Sequence, residues 1–182
     1  MSLQPGTHTL GPENARLSVR TGRGGAAAKA GHDLLIEVTT WSAVIEVGAT
    51  PEATRMTLSA DGSSLRVLEG TGGMKSLDDG DKAGIKQTID KDVLKGTAIE
   101  FSSTAVRASP DGDRLTVQGE LELAGRRHPI SFELAVTGEG RVAGSTMVVQ
   151  TGWGIKPYST LFGTLKVADE VQVEIDGELP AV

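Results

Sequence analysis

The stretch Leu34-Leu35-Ile36-Glu37-Val38-Thr39-Thr40-Trp41-Ser42-Ala43-Val44-Ile45-Glu46-Val47 decides the fold class. Leu34, Ile36 and Val38 share one parity, and Trp41, Ala43, Ile45 and Val47 share the other. Strict alternation of this kind is the mark of a strand with one buried face. The change of phase at Thr39-Thr40 predicts a β-bulge that bends the strand and returns both apolar sets to one side.

The same pattern recurs outward from this stretch. Leu17-Ser18-Val19-Arg20 alternates, as does Met56-Thr57-Leu58-Ser59-Ala60, which leads through Asp61-Gly62, a hairpin-turn signal, into Ser64 to Leu68. Further strands are predicted at Thr97 to Arg107, Arg114 to Leu123, Pro129 to Thr137, Arg141 to Thr151 and Val171 to Leu179. Short connections at Pro110-Asp111-Gly112-Asp113, Ala124-Gly125-Arg126 and Gly138-Glu139-Gly140 make neighbouring strands antiparallel. Ile130, Phe132, Leu134 and Val136 oppose Ser131, Glu133, Ala135 and Thr137, and Val171, Val173 and Ile175 oppose Gln172, Glu174 and Asp176. One face of each strand is therefore wet and the other buried. The pattern fits an up-and-down barrel or a sandwich.

Two segments depart from alternation. Asp78 to Leu94 places Ile85, Ile89 and Val93 four residues apart, which predicts a helix crossing one end of the sheet. Thr21 to Gly31 is rich in Gly and Ala, with a short helix expected around Ala26 to Ala30. No linker is long enough to divide the chain, so residues 1–182 are read as one domain.

Composition agrees. Leu, Ile, Val and Phe make up about 24% of the 182 residues, enough for a core. Aromatics are 3%, so the core is built of branched aliphatics that favour strands. The 24 glycines have no three-residue period, which excludes collagen and points to many turns. A net charge of −6 argues against nucleic acid and anionic membrane surfaces as partners. Absence of cysteine removes disulfides, thiolate nucleophiles and cysteine metal sites. The opening Met1-Ser2-Leu3-Gln4-Pro5-Gly6 lacks the features of a signal peptide, and no apolar run reaches the ~18 residues of a membrane span. A cytoplasmic protein without membrane insertion is expected.

Catalytic patterns are sparse. Arg23-Gly24-Gly25 lacks the Gly-Lys-Ser/Thr and βαβ context of a phosphate loop. His8, His32 and His128 have no ligand spacing, and Asp78-Asp79-Gly80-Asp81 lacks the regular oxygens and closing Glu of a calcium loop. Gly-x-Ser-x-Gly is absent. No catalytic residue, metal or cofactor is expected. In the pair His32-Asp33 a carboxylate could orient an imidazole, although closure of a loop into the long strand explains it as well. Gly152-Trp153-Gly154-Ile155-Lys156-Pro157-Tyr158-Ser159-Thr160-Leu161-Phe162-Gly163 holds three of the six aromatics. Pro157 can start a helix over Tyr158 to Leu165. The aromatics suit either a plug at one barrel end or a rim around a cavity mouth.

Several motifs, in order along the chain, resemble the YceI-like family. They are Pro5-Gly6-Thr7-His8-Thr9-Leu10-Gly11-Pro12 with its following strand, and Lys91-Asp92-Val93-Leu94-Lys95 leading into Ile99-Glu100-Phe101-Ser102-Ser103. The hairpin Gly119-Glu120-Leu121-Glu122-Leu123-Ala124-Gly125 with Arg127-His128-Pro129-Ile130-Ser131-Phe132, and Trp153-Gly154-Ile155, complete the set. The chain departs from the family where His8 stands for Tyr, Gly11 for Asp and Asn14-Ala15 for His-Ser. The resemblance implies a lipocalin-like, eight-stranded antiparallel barrel with one or two short helices that holds an isoprenoid lipid in its lumen, and it carries over no reactive residue. Eight strands is about the size that fills with side chains or encloses one small ligand.

The expected function is to bind, carry or sequester an apolar isoprenoid, a polyprenyl chain or quinone, or another long hydrophobic ligand. The expected lining residues are Ile36, Val38, Trp41, Phe101, Phe132, Leu134 and Trp153, with Tyr158, Phe162 and His32. Ile36 and Trp41 share a face only through the predicted bulge. The alternatives are an enzyme acting on such a lipid through His32, Asp33 or Tyr158, and a filled barrel serving as an interaction module. Homodimer formation is left open.

Overall fold

The computed structural model of the chain describes residues 5–137 and 140–179. The Met1–Gln4 part of the opening and the turn at Gly138-Glu139 lie outside the described residues. Among the described residues there are twelve strands: β1 (Gly6–Leu10), β2 (Ala15–Gly24), β3 (His32–Val38), β4 (Trp41–Val47), β5 (Arg55–Asp61), β6 (Leu65–Gly72), β7 (Ala98–Ala108), β8 (Arg114–Leu123), β9 (Arg126–Val136), β10 (Arg141–Val149), β11 (Ser159–Thr160) and β12 (Leu165–Glu178). One α-helix, α1 (Asp79–Thr88), runs into a π turn over Ile89–Val93. The chain is thus all-β with one helix, and the sheet is antiparallel throughout its described ladders, in the order β1-β4-β5-β7-β8-β9-β10-β12-β2-β3-β6 with β11 on β12.

The strand count corrects the eight expected. Thr39-Thr40 breaks the long strand into β3 and β4, a sharper interruption than a bulge. β1 pairs with β4 and the two-residue β11 with β12, although neither carries an alternating apolar run long enough to read from the sequence.

Asp61-Gly62 is not a hairpin turn. β5 pairs with β4 and β7, β6 pairs with β3, and the two do not pair with each other. The ladder instead continues past the break: Trp41 lies opposite Ala60 and Val38 opposite Leu65. Thr39 N–H donates to the Ser64 carbonyl at 3.1 Å, and Asp61 N–H donates to the Thr40 carbonyl at 3.0 Å. Asp61 also accepts from the Ser63 backbone N–H at 2.8 Å, so the turn chemistry of Asp-Gly is spent on a bend within one strand path. Residues 32–47 and 55–72 therefore form one long bent hairpin. Because its two halves sit at opposite ends of the hydrogen-bonded order, the sheet curls on itself.

The inner face of this sheet carries the core. Ile36, Val38, Ile45, Phe101, Val117, Leu134, Val136 and Val142 are buried, from strands all round the order. Along β9 the expected parity holds, with Leu134 and Val136 buried and Ser131, Glu133 and Ala135 exposed; along β12 residues 171–175 are all half-buried, and Val171, Val173 and Ile175 are the ones that face inward. The helix expected over Tyr158 to Leu165 does not form. β11 and a 3-10 turn at Leu161–Gly163 replace it, with Phe162 in the left-handed region at φ 56° and ψ 33°. At Ala28–Ala30 the short helix is a single 3-10 turn.

Candidate functional site

Inside the curled sheet lies a cavity of about 800 Å³. Strand alternation builds its walls: Val171, Val173 and Ile175 of β12 point in, as do Phe132 and Leu134 of β9 and Ile36 and Val38 of β3. Phe101 of β7 and Phe132 of β9 meet across the wall, ring centroids 5.3 Å apart and planes inclined by 57°. Such tilted pairs are favourable aromatic geometry.

The helix closes one side. Asp78 caps it, accepting from the Asp81 backbone N–H at 2.8 Å while the Asp81 carboxylate returns to the Asp78 N–H. The cluster of aspartates is thus a capping box. Ile85, Ile89 and Val93, the residues at four-residue spacing, face the cavity. Lys82 Nζ donates to the Leu68 carbonyl at 2.9 Å and Lys86 Nζ to the Ser63 carbonyl at 2.9 Å, tying α1 to β6 and to the bend before it.

The cavity's charged groups gather at one end. Arg23, His32, Asp81 and Lys166 line it there with Tyr158, and the walls beyond are mainly aliphatic and aromatic, interrupted by Thr57, Thr88, Ser145 and Thr146. Arg23 Nη1 donates to the Gly31 carbonyl at 2.6 Å, and its Nε lies 3.5 Å from Asp33. His32 Nε2 donates to the Lys75 carbonyl at 2.7 Å. Lys75 Nζ pairs with Asp81 at 2.8 Å, and this contact, with the Asp78 backbone N–H, holds the Asp81 carboxyl below its usual range. An apolar tail can lie along the walls while a polar head stays at this end.

Of the residues expected to line the site, Ile36, Val38, Phe101, Phe132, Leu134, Tyr158 and His32 surround the cavity. Three do not. Trp41 is buried beside the Thr39-Thr40 bend but outside the lining. Trp153 is buried with its Nε1 donating to the Leu121 carbonyl at 3.0 Å and its ring edge-on to His128 at 5.7 Å, so it plugs the wall instead of rimming the mouth. Phe162 is fully exposed, because the left-handed turn aims it outward. Asp33 holds the loop before β3 and does not form the alternative carboxylate–imidazole pair. Adjacent strand residues point to opposite faces, so it accepts from the Arg23 backbone N–H at 3.0 Å and does not orient His32. The helix face was missed as part of the site, although its spacing was visible. Met56 and Leu58 were likewise missed: they lie in a strand recognised from the sequence but left out of the lining.

Among the described residues no helix is long and apolar enough to cross a membrane, and no group of three His, Cys, Asp or Glu could hold a metal ion.

Comparison with solved structures places the fold. The chain resembles BcnA of Burkholderia cenocepacia with a TM-score of 0.66 at 18% identity, covering 92% of this chain and 96% of that one. It also resembles the YCEI protein of Campylobacter jejuni, with a TM-score of 0.58 at 14% identity over 81% and 85% of the two chains. No curated protein matches by sequence. Residues 14–179 match the model of the YceI-like domain, so the curled sheet, its helix and its cavity are those of a member of the YceI-like family.

Proposed function

We propose that the protein binds, carries or sequesters a long apolar ligand, of the isoprenoid class to which its family resemblance points, in the cavity of its sheet. The observation that carries this reading is the cavity itself, about 800 Å³ with mainly aliphatic and aromatic walls and charged groups at one end. Ligand sites of small molecules span roughly 300–1,000 Å³. Apolar wall left facing water in a space of this size is unfavourable. Water gains few hydrogen bonds against such walls. An apolar occupant relieves that cost, and each buried methylene contributes about 0.8 kcal/mol.

The volume speaks against a filled interior used only as an interaction module. The enzymatic reading has less support: the His32 ring is held by the Lys75 carbonyl, and Asp33 is engaged with Arg23. A binding protein without chemistry of its own is the better reading.

Native mass spectrometry of protein purified from its own host tests it. A bound species with the mass of a prenyl lipid or quinone is expected. Protein recovered without any apolar ligand, and unable to take up a fluorescent polyene, overturns the proposal. If the recovered ligand changes mass on long incubation and the His32→Ala variant stops the change, the protein is an enzyme.

A further inference from the structure

Three loops meet at the polar end of the cavity. Ala27 N–H donates to the Thr164 carbonyl at 2.8 Å, joining residues 25–31 to residues 154–164. Gly31 packs on the Leu165 side chain, and a Cβ at Gly31 would lie 2.6 Å from its Cδ1. Residues 73–77 join through His32, whose ring packs on Gly73 and bonds the Lys75 carbonyl. Ala30, Gly31, Tyr158 and Thr160 of the first two loops line the cavity, and we take this end, where the third loop joins through His32, as its mouth.

This rim displays what a soluble surface normally hides. Phe162 is fully exposed and Met74 is 87% exposed, with Tyr158 half in the mouth. Phe162 also holds a left-handed backbone at φ 56°, uncommon for a bulky residue and sustained by no packing of its ring. The three loops, followed up to the start of α1, contain Lys29, Lys75 and Lys156 against one carboxylate, that of Asp78, which is engaged in capping the helix, in a chain with a net charge of −6. Lys75 pairs with Asp81 across the boundary of its loop, while Lys29 and Lys156 are in no ion pair among the described residues. Charges beyond a Debye length of about 8 Å are screened, so the rim meets a partner with its own sign and not that of the whole chain.

The geometry points to a docking face for an anionic lipid bilayer, with Phe162 and Met74 entering the interface and the lysines meeting head groups. Aromatic and apolar side chains flanked by lysine are the composition of interfacial anchors. The inference rests on the proposed function only in explaining why the mouth should face lipid: an apolar cargo then passes between bilayer and cavity without crossing water.

Flotation of the full chain with vesicles of phosphatidylcholine and phosphatidylglycerol tests it. The wild type should float with the vesicles, and Phe162→Ser combined with Met74→Ser should weaken binding at least tenfold. Lys29→Glu and Lys156→Glu should each weaken it about fivefold or more. Neither Phe162 nor Met74 lines the cavity, so the double variant should take up a fluorescent polyene from solution as the wild type does. A wild type that stays out of the vesicle fraction, or variants that float equally well, overturns the docking face. Vesicle binding by a protein that takes up no polyene would instead leave the docking face standing and remove the cargo.

Discussion

Phe101 and Phe132 touch across β8, their centroids 5.3 Å apart, because Gly119 stands between them with no side chain. A Cβ at Gly119 would lie 2.4 Å from the Ser102 carbonyl oxygen and 2.5 Å from the Phe101 ring. A glycine in the middle of a strand weakens it, and here the loss makes room for an aromatic pair in the cavity wall.

Gly119→Ala should therefore destabilise the fold by about 1–3 kcal/mol through overpacking. For a chain of this length each kcal/mol lowers Tm by roughly 2–4 °C. A thermal melt checks it, and an unchanged Tm would mean that the Ser102 carbonyl and the Phe101 ring both shift at little cost.

Phe132→Asp puts a carboxylate on the apolar wall, where an unpaired charge is costly. A fluorescent polyene should no longer bind, and titration of a variant that still melts cooperatively reads this directly. Phe132→Ala, which adds space without charge, should bind more weakly but measurably.

Trp153→Phe removes the donor to the Leu121 carbonyl and leaves a buried acceptor, at a cost of about 1–3 kcal/mol. Because Trp153 lies outside the cavity lining, polyene affinity should stay unchanged. Loss of affinity with no loss of Tm would reverse the assignment of Trp153 as a plug.

Lys75 and the Asp78 backbone N–H hold the Asp81 pKa below its ordinary value of 3.8. As pH falls through that range the unfolded chain takes up the proton before the folded one, so stability present above the ordinary value is lost on acidification. Melting temperature measured downward from about pH 5 should fall less steeply in Asp81→Asn than in the wild type.

Local periodicity was enough to read which faces are buried. Ile130, Phe132, Leu134 and Val136 share a side because strand residues alternate, and Ile85, Ile89 and Val93 share one because a helix repeats near four. Both rules act within a few residues, so the walls and the helical side of the cavity were legible. Phe162 was misplaced because an aromatic cluster reads as buried, while a left-handed turn aims the ring outward.

What the sequence by itself determined is an all-β chain with a helix within Asp78 to Leu94 and an apolar inner face, since alternation, glycine turns and four-residue spacing are local properties. What only the tertiary structure decided is how distant segments meet. Asp61-Gly62 carries a hairpin signal, yet the bend it makes lies opposite Thr39-Thr40 because the β4–β5 and β3–β6 ladders hold both sides in register. Asp33 engages Arg23, and Trp153 reaches the Leu121 carbonyl, through contacts between segments 10 and 32 residues apart. Curling of the sheet brings such partners together, and no local pattern encodes which of several hydrogen-bond acceptors will then be in reach.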